Sequence, residues 1–382
     1  MQLFMEKTMK ISVITLHTVN NYGSALQTYA TQTVLQKLGH TVEFVDYWRK
    51  DNAGEGAVDK ALKSPSMQKI RFLWDWSELS RSAVRIPLRF LLACKRRPMQ
   101  DFLKARVNLT SHTYYSMDDL LKDTPQADVY MTGSDQVWNS IWNQGIEKPY
   151  FLEYAPEGKK RVAFSASIGR TELSADEIPE TVSMLKKYSA ISVREESAVT
   201  LLKALGIEAQ LILDPTLMLS GREWEKIAEV PKAKKPYLLI YQLNGNRQMD
   251  RFAVNLAKRK GWDVVRICFA VPVIQRGVKC VISPSVEQLL GYLLHAECVL
   301  TDSFHATAFS LNLGRDFICI LPKRFGTRIE SILKLTGTEN RLLRDYSNYE
   351  IVNQTIDKAH VQSVFARERA GGVAFLQNAL AE

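Results

Sequence analysis

Apolar residues fall along this chain in two alternating patterns: short unbroken runs, and longer stretches repeating at three- and four-residue spacing. Residues 10–16 form a run with the composition of a strand, ending in His17-Thr18-Val19-Asn20-Asn21-Tyr22-Gly23-Ser24. Residues 25–38 then repeat at helical spacing through Leu26, Tyr29, Ala30, Thr33, Val34 and Lys37, until Gly39 stops the helix and residues 42–45 begin another strand. Strand, glycine turn, helix and strand in this order predict the first βαβ unit of a doubly wound domain. The turn lacks a GxGxxG fingerprint, so a dinucleotide is not indicated; a plain tight turn and a close approach of backbone amides to a ligand both fit it.

The rhythm breaks over residues 48–125. Residues 51–56 read as a loop. Residues 65–107 read as helical and carry Ile70, Phe72, Leu73, Trp74 and Trp76, then Ile86, Leu88, Phe90, Leu91 and Leu92, then Lys95-Arg96-Arg97. Basic, aromatic helices of this kind lie on anionic membrane surfaces or receive lipid-linked substrates; the same composition also suits a helical cap over a sheet edge. The sheet resumes at residues 128–132, which lead into Gly133-Ser134-Asp135-Gln136-Val137-Trp138-Asn139. Strands are predicted at 161–165, 190–193 and 210–213, with helices at 177–188 and 197–205, and polar residues gather at each strand end. That alternation predicts a mostly parallel sheet.

Residues 224–235 read as a helix and linker, and a second series follows. It has strands at 237–242 and 263–268, helices at 249–260 and 286–294, and a strand at 297–300 entering Thr301-Asp302-Ser303-Phe304-His305. A strand at 317–321, a basic loop at 322–328, a helix at 329–335 and a helical tail complete it. The expected architecture is α/β: two Rossmann-like domains with mostly parallel sheets, spanning about 9–225 (with a helical insertion at about 48–125) and 236–345, followed by C-terminal helices over 346–382. A cleft between the halves is the expected active site. Thr301, Asp302 and Ser303 are helix-capping residue types, which sets His305 in a first helical turn just past a strand's C-terminal end. Such an edge favours ligands, anions especially, although a capped helix with a packed histidine gives the same sequence.

Composition narrows the chemistry. The chain of 382 residues carries a formal charge of +9, which implies an anionic partner. Nucleic acid is disfavoured, because the cations are spread through helices and loops without stacking aromatics on a strand platform. Five scattered cysteines without CxxC spacing read as free thiols in a reducing compartment, and no secretory signal pattern is recognised, so a cytoplasmic location is expected. Residues 1–8 read as a disordered leader, with Met9 an alternative start. No Asp/His constellation has metal-ligand spacing, and no metal is expected.

Five segments, in order, resemble the polysaccharide pyruvyl transferase family. They are Asn20-Asn21-Tyr22-Gly23-Ser24-Ala25-Leu26-Gln27; Thr132-Gly133-Ser134-Asp135-Gln136-Val137-Trp138-Asn139; Ser192-Val193-Arg194-Glu195-Glu196-Ser197; Asp214-Pro215-Thr216; and Thr301 through Ser310. The resemblance implies a fold like that of GT-B glycosyltransferases and transfer of pyruvate from phosphoenolpyruvate onto a sugar, usually as a ketal. One departure is Ala306, where glycine is commoner; its methyl narrows the pocket. The insertion at 48–125 matches no family motif, so it leaves the acceptor open.

Ketal transfer needs an acid that protonates the methylene carbon of the enol phosphate, and imidazole cycles near neutral pH. By resemblance and position, His305 is the candidate acid/base. The donor's phosphate and carboxylate call for cations: Arg194 matches the family's arginine, Ser303 stands beside the histidine, and Lys323, Arg324 and Arg328 follow the next strand. Spacing does not choose among those three. Asn21, Tyr22, Ser134, Gln136 and Asn139 are acceptor-side candidates, and Asp135 is a candidate base toward a sugar hydroxyl. Trp138 suits either stacking on a sugar or core packing, and His17 either the cleft or the frame. A saccharide acceptor is expected, lipid-linked if the insertion touches the inner membrane face. The alternatives are a GT-B glycosyltransferase using a nucleotide sugar and a non-catalytic glycan- or nucleic-acid-binding protein.

Overall fold

A computed structural model describes residues 8–68, 78–233, 235–269, 271, 275–322 and 326–381. The leader (apart from Thr8), the Ile70, Phe72, Leu73, Trp74 and Trp76 cluster, and Lys323 and Arg324 of the basic loop lie outside the described residues.

Two parallel sheets carry the fold. The first contains β1 (Lys10–Ile14), β2 (Thr41–Tyr47), β3 (Leu109–Tyr114), β4 (Val129–Thr132), β5 (Lys160–Ala166), β6 (Ala190–Val193) and β7 (Gln210–Leu211), in the order β3-β2-β1-β4-β5-β6-β7. The second contains β8 (Tyr237–Tyr241), β9 (Asp263–Cys268), β10 (Val278–Ile282), β11 (Cys298–Thr301) and β12 (Phe317–Cys319), in the order β10-β9-β8-β11-β12. Every strand pair is parallel. The central strands are apolar on both faces, as crossover helices on both sides require: all of Val129–Thr132, Tyr237–Tyr241 and Cys298–Thr301 are buried.

The order in which strands are added reverses between β1 and β4 in the first sheet and between β8 and β11 in the second, while the strands stay parallel. At such switch points the loops leaving adjacent strands part in opposite directions and open a crevice at the carboxyl ends. The four loops here are residues 15–21, 133–139, 242–246 and 302–303, and the two crevices face each other. One apolar core runs through both halves, from Leu26, Leu35 and Phe44 through Trp224 to Leu239, Phe309 and Leu376. Each large aliphatic or aromatic side chain buried there stabilises the fold by roughly 1.5–3 kcal/mol. The last helix, Lys358–Leu380, returns to the first domain, where the Arg369 guanidinium donates to the Leu217 carbonyl at 2.7 Å. Gly372 packs against Met218 so closely that a Cβ would fall 2.6 Å from its methyl carbon.

Several boundaries differ from the sequence reading. Residues 48–125 are not wholly a helical insertion: helices Gly54–Leu62 and Glu78–Arg106 are followed by β3, the edge strand of the first sheet. The second sheet likewise gains an unexpected edge strand, β10. The first long helix starts at Tyr22 rather than 25, because Asn21 caps it by accepting from the Gly23 amide. Of the stretch read as helix and linker over 224–235, Trp224 and Glu225 end the helix Gly221–Glu225, which starts earlier than expected.

Candidate active site

The loops leaving β1, β4, β8 and β11 surround a cleft of about 1010 Å³ between the domains. Its walls include Asn21, Ser24, Asp135 and Gln136 on one side, and Asn244, Ser303, His305 and Arg328 on the other. Expectation and structure agree on the place. They differ on what the individual side chains do.

None of the three expected capping residues caps the helix Phe304–Asn312 through its side chain. The Thr301 hydroxyl donates to the Tyr241 carbonyl at 2.7 Å and accepts from the Ser303 amide, tying β11 to β8. The Asp302 carboxylate accepts from the amides of Leu243 and Asn244, at 2.7 and 2.9 Å, and fixes the loop after β8. Ser303 takes the capping position with its hydroxyl uncommitted, so the helix presents its first turn to the cleft.

His305 stands in that turn and is almost wholly buried, its ring laid on Gly23 of the opposite domain. A Cβ at Gly23 would fall 2.2 Å from Nδ1 of His305; only glycine admits this approach. Nε2 has no hydrogen-bond partner and lies 3.9 Å from Oδ2 of Asp214. Burial drives the imidazole down from its usual 6.5 to about 4; Asp214 pulls upward, and Arg194 adds to the fall. His305 is therefore neutral at pH 7.

Behind it lies a buried charge network. Arg194 donates from Nη2 to Oδ1 of Asp135 at 3.0 Å and from Nη1 to both Asp214 and Oγ of Ser134, the latter at 3.3 Å. Asp214 accepts in addition from the amide and hydroxyl of Thr216, at 2.9 and 2.6 Å. Asp135 accepts from the Ser24 hydroxyl and from the Gln136 amide. Burial alone would raise the Asp135 carboxyl, but Arg194, then His305, Ser24 and Arg328 outweigh it and hold it at about 2. A carboxylate so acidic and so fully hydrogen-bonded is a weak base, which argues against the sequence expectation for Asp135. Arg194, expected to bind the donor, has no exposed side-chain surface and does not line the cleft; it anchors two carboxylates. Glu195 holds the neighbouring loop by accepting from Ser167, Ile168 and Gly169.

Arg328 is the described cation of the expected donor set that does face the cleft. No carboxylate pairs with it among the described residues, and its Nε is buried without a partner. Its guanidinium lies 5.5 Å from the Phe304 ring centre, with that of Arg194 at 5.8 Å. Burial, then Arg194, makes its positive charge costly, a cost that an incoming anion relieves.

The acceptor-side candidates divide. Asn21 and Gln136 line the cleft. Tyr22 is buried and its hydroxyl donates across the domain boundary to the Pro284 carbonyl at 2.6 Å. Ser134 is consumed by Arg194, and Asn139 caps the turn Ser140–Asn143 while donating to Oε1 of Gln136. Trp138 stacks on Phe151 and donates to the Tyr150 carbonyl, so it is a core residue. His17 pairs with Asp46 at 3.1 Å, away from the cleft. Residues given no role by the sequence reading also matter here: Asp214, and Lys95 and Arg96 of the helix Glu78–Arg106, which bring two further cations to the cleft wall. A run of neighbouring cations was the signal for the last two, but no periodicity showed which way they point.

Comparison with known proteins fits this architecture. Among solved structures, the chain resembles a putative UDP-N-acetylglucosamine 2-epimerase from Listeria monocytogenes, with a TM-score of 0.50 and 10% identity over 95% of this chain and 91% of the other. It also aligns with an α-glucosyltransferase solved with UDP and DNA (TM-score 0.48, 10% identity, 98% and 96% covered) and with AviGT4, a glycosyltransferase of avilamycin A biosynthesis (0.48, 11%, 98% and 99%). The fold is thus of the GT-B type, two Rossmann-like domains facing a cleft. No protein with a curated description matches the sequence. The profile of the polysaccharide pyruvyl transferases matches residues 21–324, which run from the Asn21 cap to the loop after β12 and contain His305 and both carboxylates of the buried network, so the chain belongs to the polysaccharide pyruvyl transferase family.

Proposed function

We propose that the protein transfers the pyruvyl group of phosphoenolpyruvate to a saccharide hydroxyl and closes it as a ketal on a second hydroxyl. The observation that carries this reading is His305: a buried imidazole whose Nε2 has no partner, set at a cleft beside the unpaired cation of Arg328. The donor's phosphate and carboxylate suit Arg328, the Ser303 hydroxyl and the open first turn of the helix Phe304–Asn312.

The chemistry follows from charge. An anion bound near Nε2 favours the imidazolium, countering the burial that keeps the ring neutral. The imidazolium gives its proton to the methylene carbon of the enol phosphate, and positive charge develops at C2. A sugar hydroxyl adds there and returns its proton to Nε2. Nε2 then gives that proton to the phosphate as the C2–O bond to it breaks, and a second hydroxyl adds to C2 to close the ring, passing its own proton to Nε2. His305 thus serves as both acid and base, while Asp135, Asp214 and Arg194 hold their charge throughout and fix the field around it.

The test is incubation of purified protein with phosphoenolpyruvate and a panel of glycan acceptors. Phosphate release together with a pyruvyl mass gain on one acceptor is expected. Binding of a nucleotide sugar with indifference to phosphoenolpyruvate in thermal-shift measurements would overturn the reading in favour of glycosyl transfer. No helix among the described residues is long and apolar enough to cross a membrane.

A further inference from the structure

The cleft has a second set of cations, far along the chain from His305. Lys95 and Arg96 come from the helix Glu78–Arg106, in the insertion that no family motif explains, and both line the cleft. They face it from the first domain, whereas Arg328 and His305 belong to the second. Arg96 is fixed like a plate: Nε donates to Asn20 at 3.0 Å, Nη2 donates to the Asn52 carbonyl at 2.7 Å, and the guanidinium lies 4.9 Å from the Trp48 ring centre. Those bonds leave Nη1 uncommitted. Lys95 has no carboxylate partner among the described residues; its ammonium sits 5.7 Å from the Phe269 ring centre, and burial alone lowers its basicity. Two half-buried cations, adjacent in sequence and without a carboxylate partner among the described residues, carry an uncompensated charge cost, and an anion within reach of both lowers it.

We infer that Lys95 and Arg96 bind a phosphate or diphosphate group carried by the acceptor, so that the substrate is a phosphorylated saccharide rather than a neutral glycan. The inference rests on the proposed transfer only for the word acceptor; the anion site stands on its own residues. A diphosphate reaches this position as part of a nucleotide-linked or a prenyl-linked saccharide. Leu91 and Leu92, one turn before Lys95, are apolar, with Leu92 lining the cleft and Leu91 exposed. They offer a path outward for a prenyl chain.

The experiment is calorimetric titration of inorganic pyrophosphate into protein held at saturating phosphoenolpyruvate. A single site is expected, weakened about tenfold or more in Lys95→Met, as loss of one charge-assisted contact predicts, and restored in Lys95→Arg. Lys95→Met keeps an unbranched side chain of similar length without the charge, and circular dichroism checks its fold. The inference is overturned if phosphoenolpyruvate binds while pyrophosphate does not, or if Lys95→Met binds pyrophosphate as the wild type does. If phosphoenolpyruvate fails to bind, the donor reading falls. The anion site survives that result provided pyrophosphate binding is still lost in Lys95→Met and retained in Arg328→Gln. Titrations with UDP and with geranyl diphosphate separate the two sources: the favoured one binds tighter than pyrophosphate alone, and the gain disappears in Lys95→Met.

Discussion

Replacing Gly23 by alanine places a methyl carbon where the His305 imidazole now stands. The new Cβ would fall 2.2 Å from Nδ1, 2.4 Å from Cε1 and 2.5 Å from Cγ. Unstrained contacts lie at about 3.5–4.0 Å, so the ring must retreat by roughly 1 Å or more. His305 has little room to do this within its own domain, because Ala306, Ala308 and Phe309 of its helix are buried in the core. The strain is relieved when the two domains part slightly. A displacement of that size at a reacting group costs on the order of 10²-fold in rate. Stability responds differently: alanine favours a helix by about 1 kcal/mol over glycine, while overpacking costs about 1–3 kcal/mol if the domains stay closed. The variant should therefore fold, with a net change under about 2 kcal/mol, and lose turnover. Phosphate release from phosphoenolpyruvate in the presence of acceptor, with urea denaturation alongside, measures both. Undiminished turnover in Gly23→Ala would refute the position assigned to His305.

Other outcomes follow from the same network. His305→Ala should lose about 10²–10⁴-fold in turnover with an unchanged circular dichroism spectrum, and full activity would remove it from the chemistry. Arg194→Met leaves Asp135 and Asp214 buried without their counter-charge and should destabilise the fold by about 3–5 kcal/mol in urea; a variant as stable as the wild type would show that water already reaches the pair. His305 titrates at about 4 in the folded state, below its unfolded 6.5, so the unfolded chain binds the extra proton between those values. The stability it contributes is complete above pH 6.5 and is lost as pH falls toward 4; Asp135, held at about 2, extends the loss below that. Comparing urea midpoints of wild type and His305→Gln at pH 7 and 5 reads the histidine part, and parallel curves would contradict it. Affinity for phosphoenolpyruvate should rise from pH 8 to pH 6 in the wild type and stay flat in His305→Gln, as read by calorimetry.

Sequence made the two domains legible because central parallel strands are buried on both faces, so Leu238, Leu239 and Ile240 or Val129, Tyr130 and Met131 stand out as runs. The edge strands gave no such signal. Leu109–Tyr114 is LTSHTY with half of its residues exposed and one buried, and Val278–Ile282 is only half-buried, so neither differs in composition from a loop. The candidate site was read from residue types at strand ends, and His305, Arg328, Asn21 and Gln136 line one cleft. What composition could not separate was contact from support. An arginine or aspartate reads the same whether it faces a ligand or a second buried charge, and only packing sends Arg194 inward to Asp135 and Asp214. Tyr22, Ser134 and Asn139 were likewise placed correctly along the chain and turned toward the frame by their partners.

The arrangement of charge explains why the histidine comes from one domain and its surroundings from both. His305 alone on its helix would meet water and keep its usual basicity. Closing Gly23 over it removes that water and drives the imidazole to about 4, and the buried Asp214 at 3.9 Å then attracts the imidazolium without forming a bond that would hold it. Arg194 and Arg328 lie close enough to push the other way. The ring is left between two opposing fields, and an added negative charge shifts it toward the protonated form. On the proposed reaction that charge is the donor itself: binding creates the acid, and departure of phosphate withdraws the charge that sustained it. A permanently protonated imidazole would bind the anion equally well but return no base for the sugar hydroxyl, whereas a permanently neutral one would have no proton for the methylene carbon. On the proposed reaction the buried carboxylates would be as necessary as the histidine, although neither needs to gain or lose a proton during it.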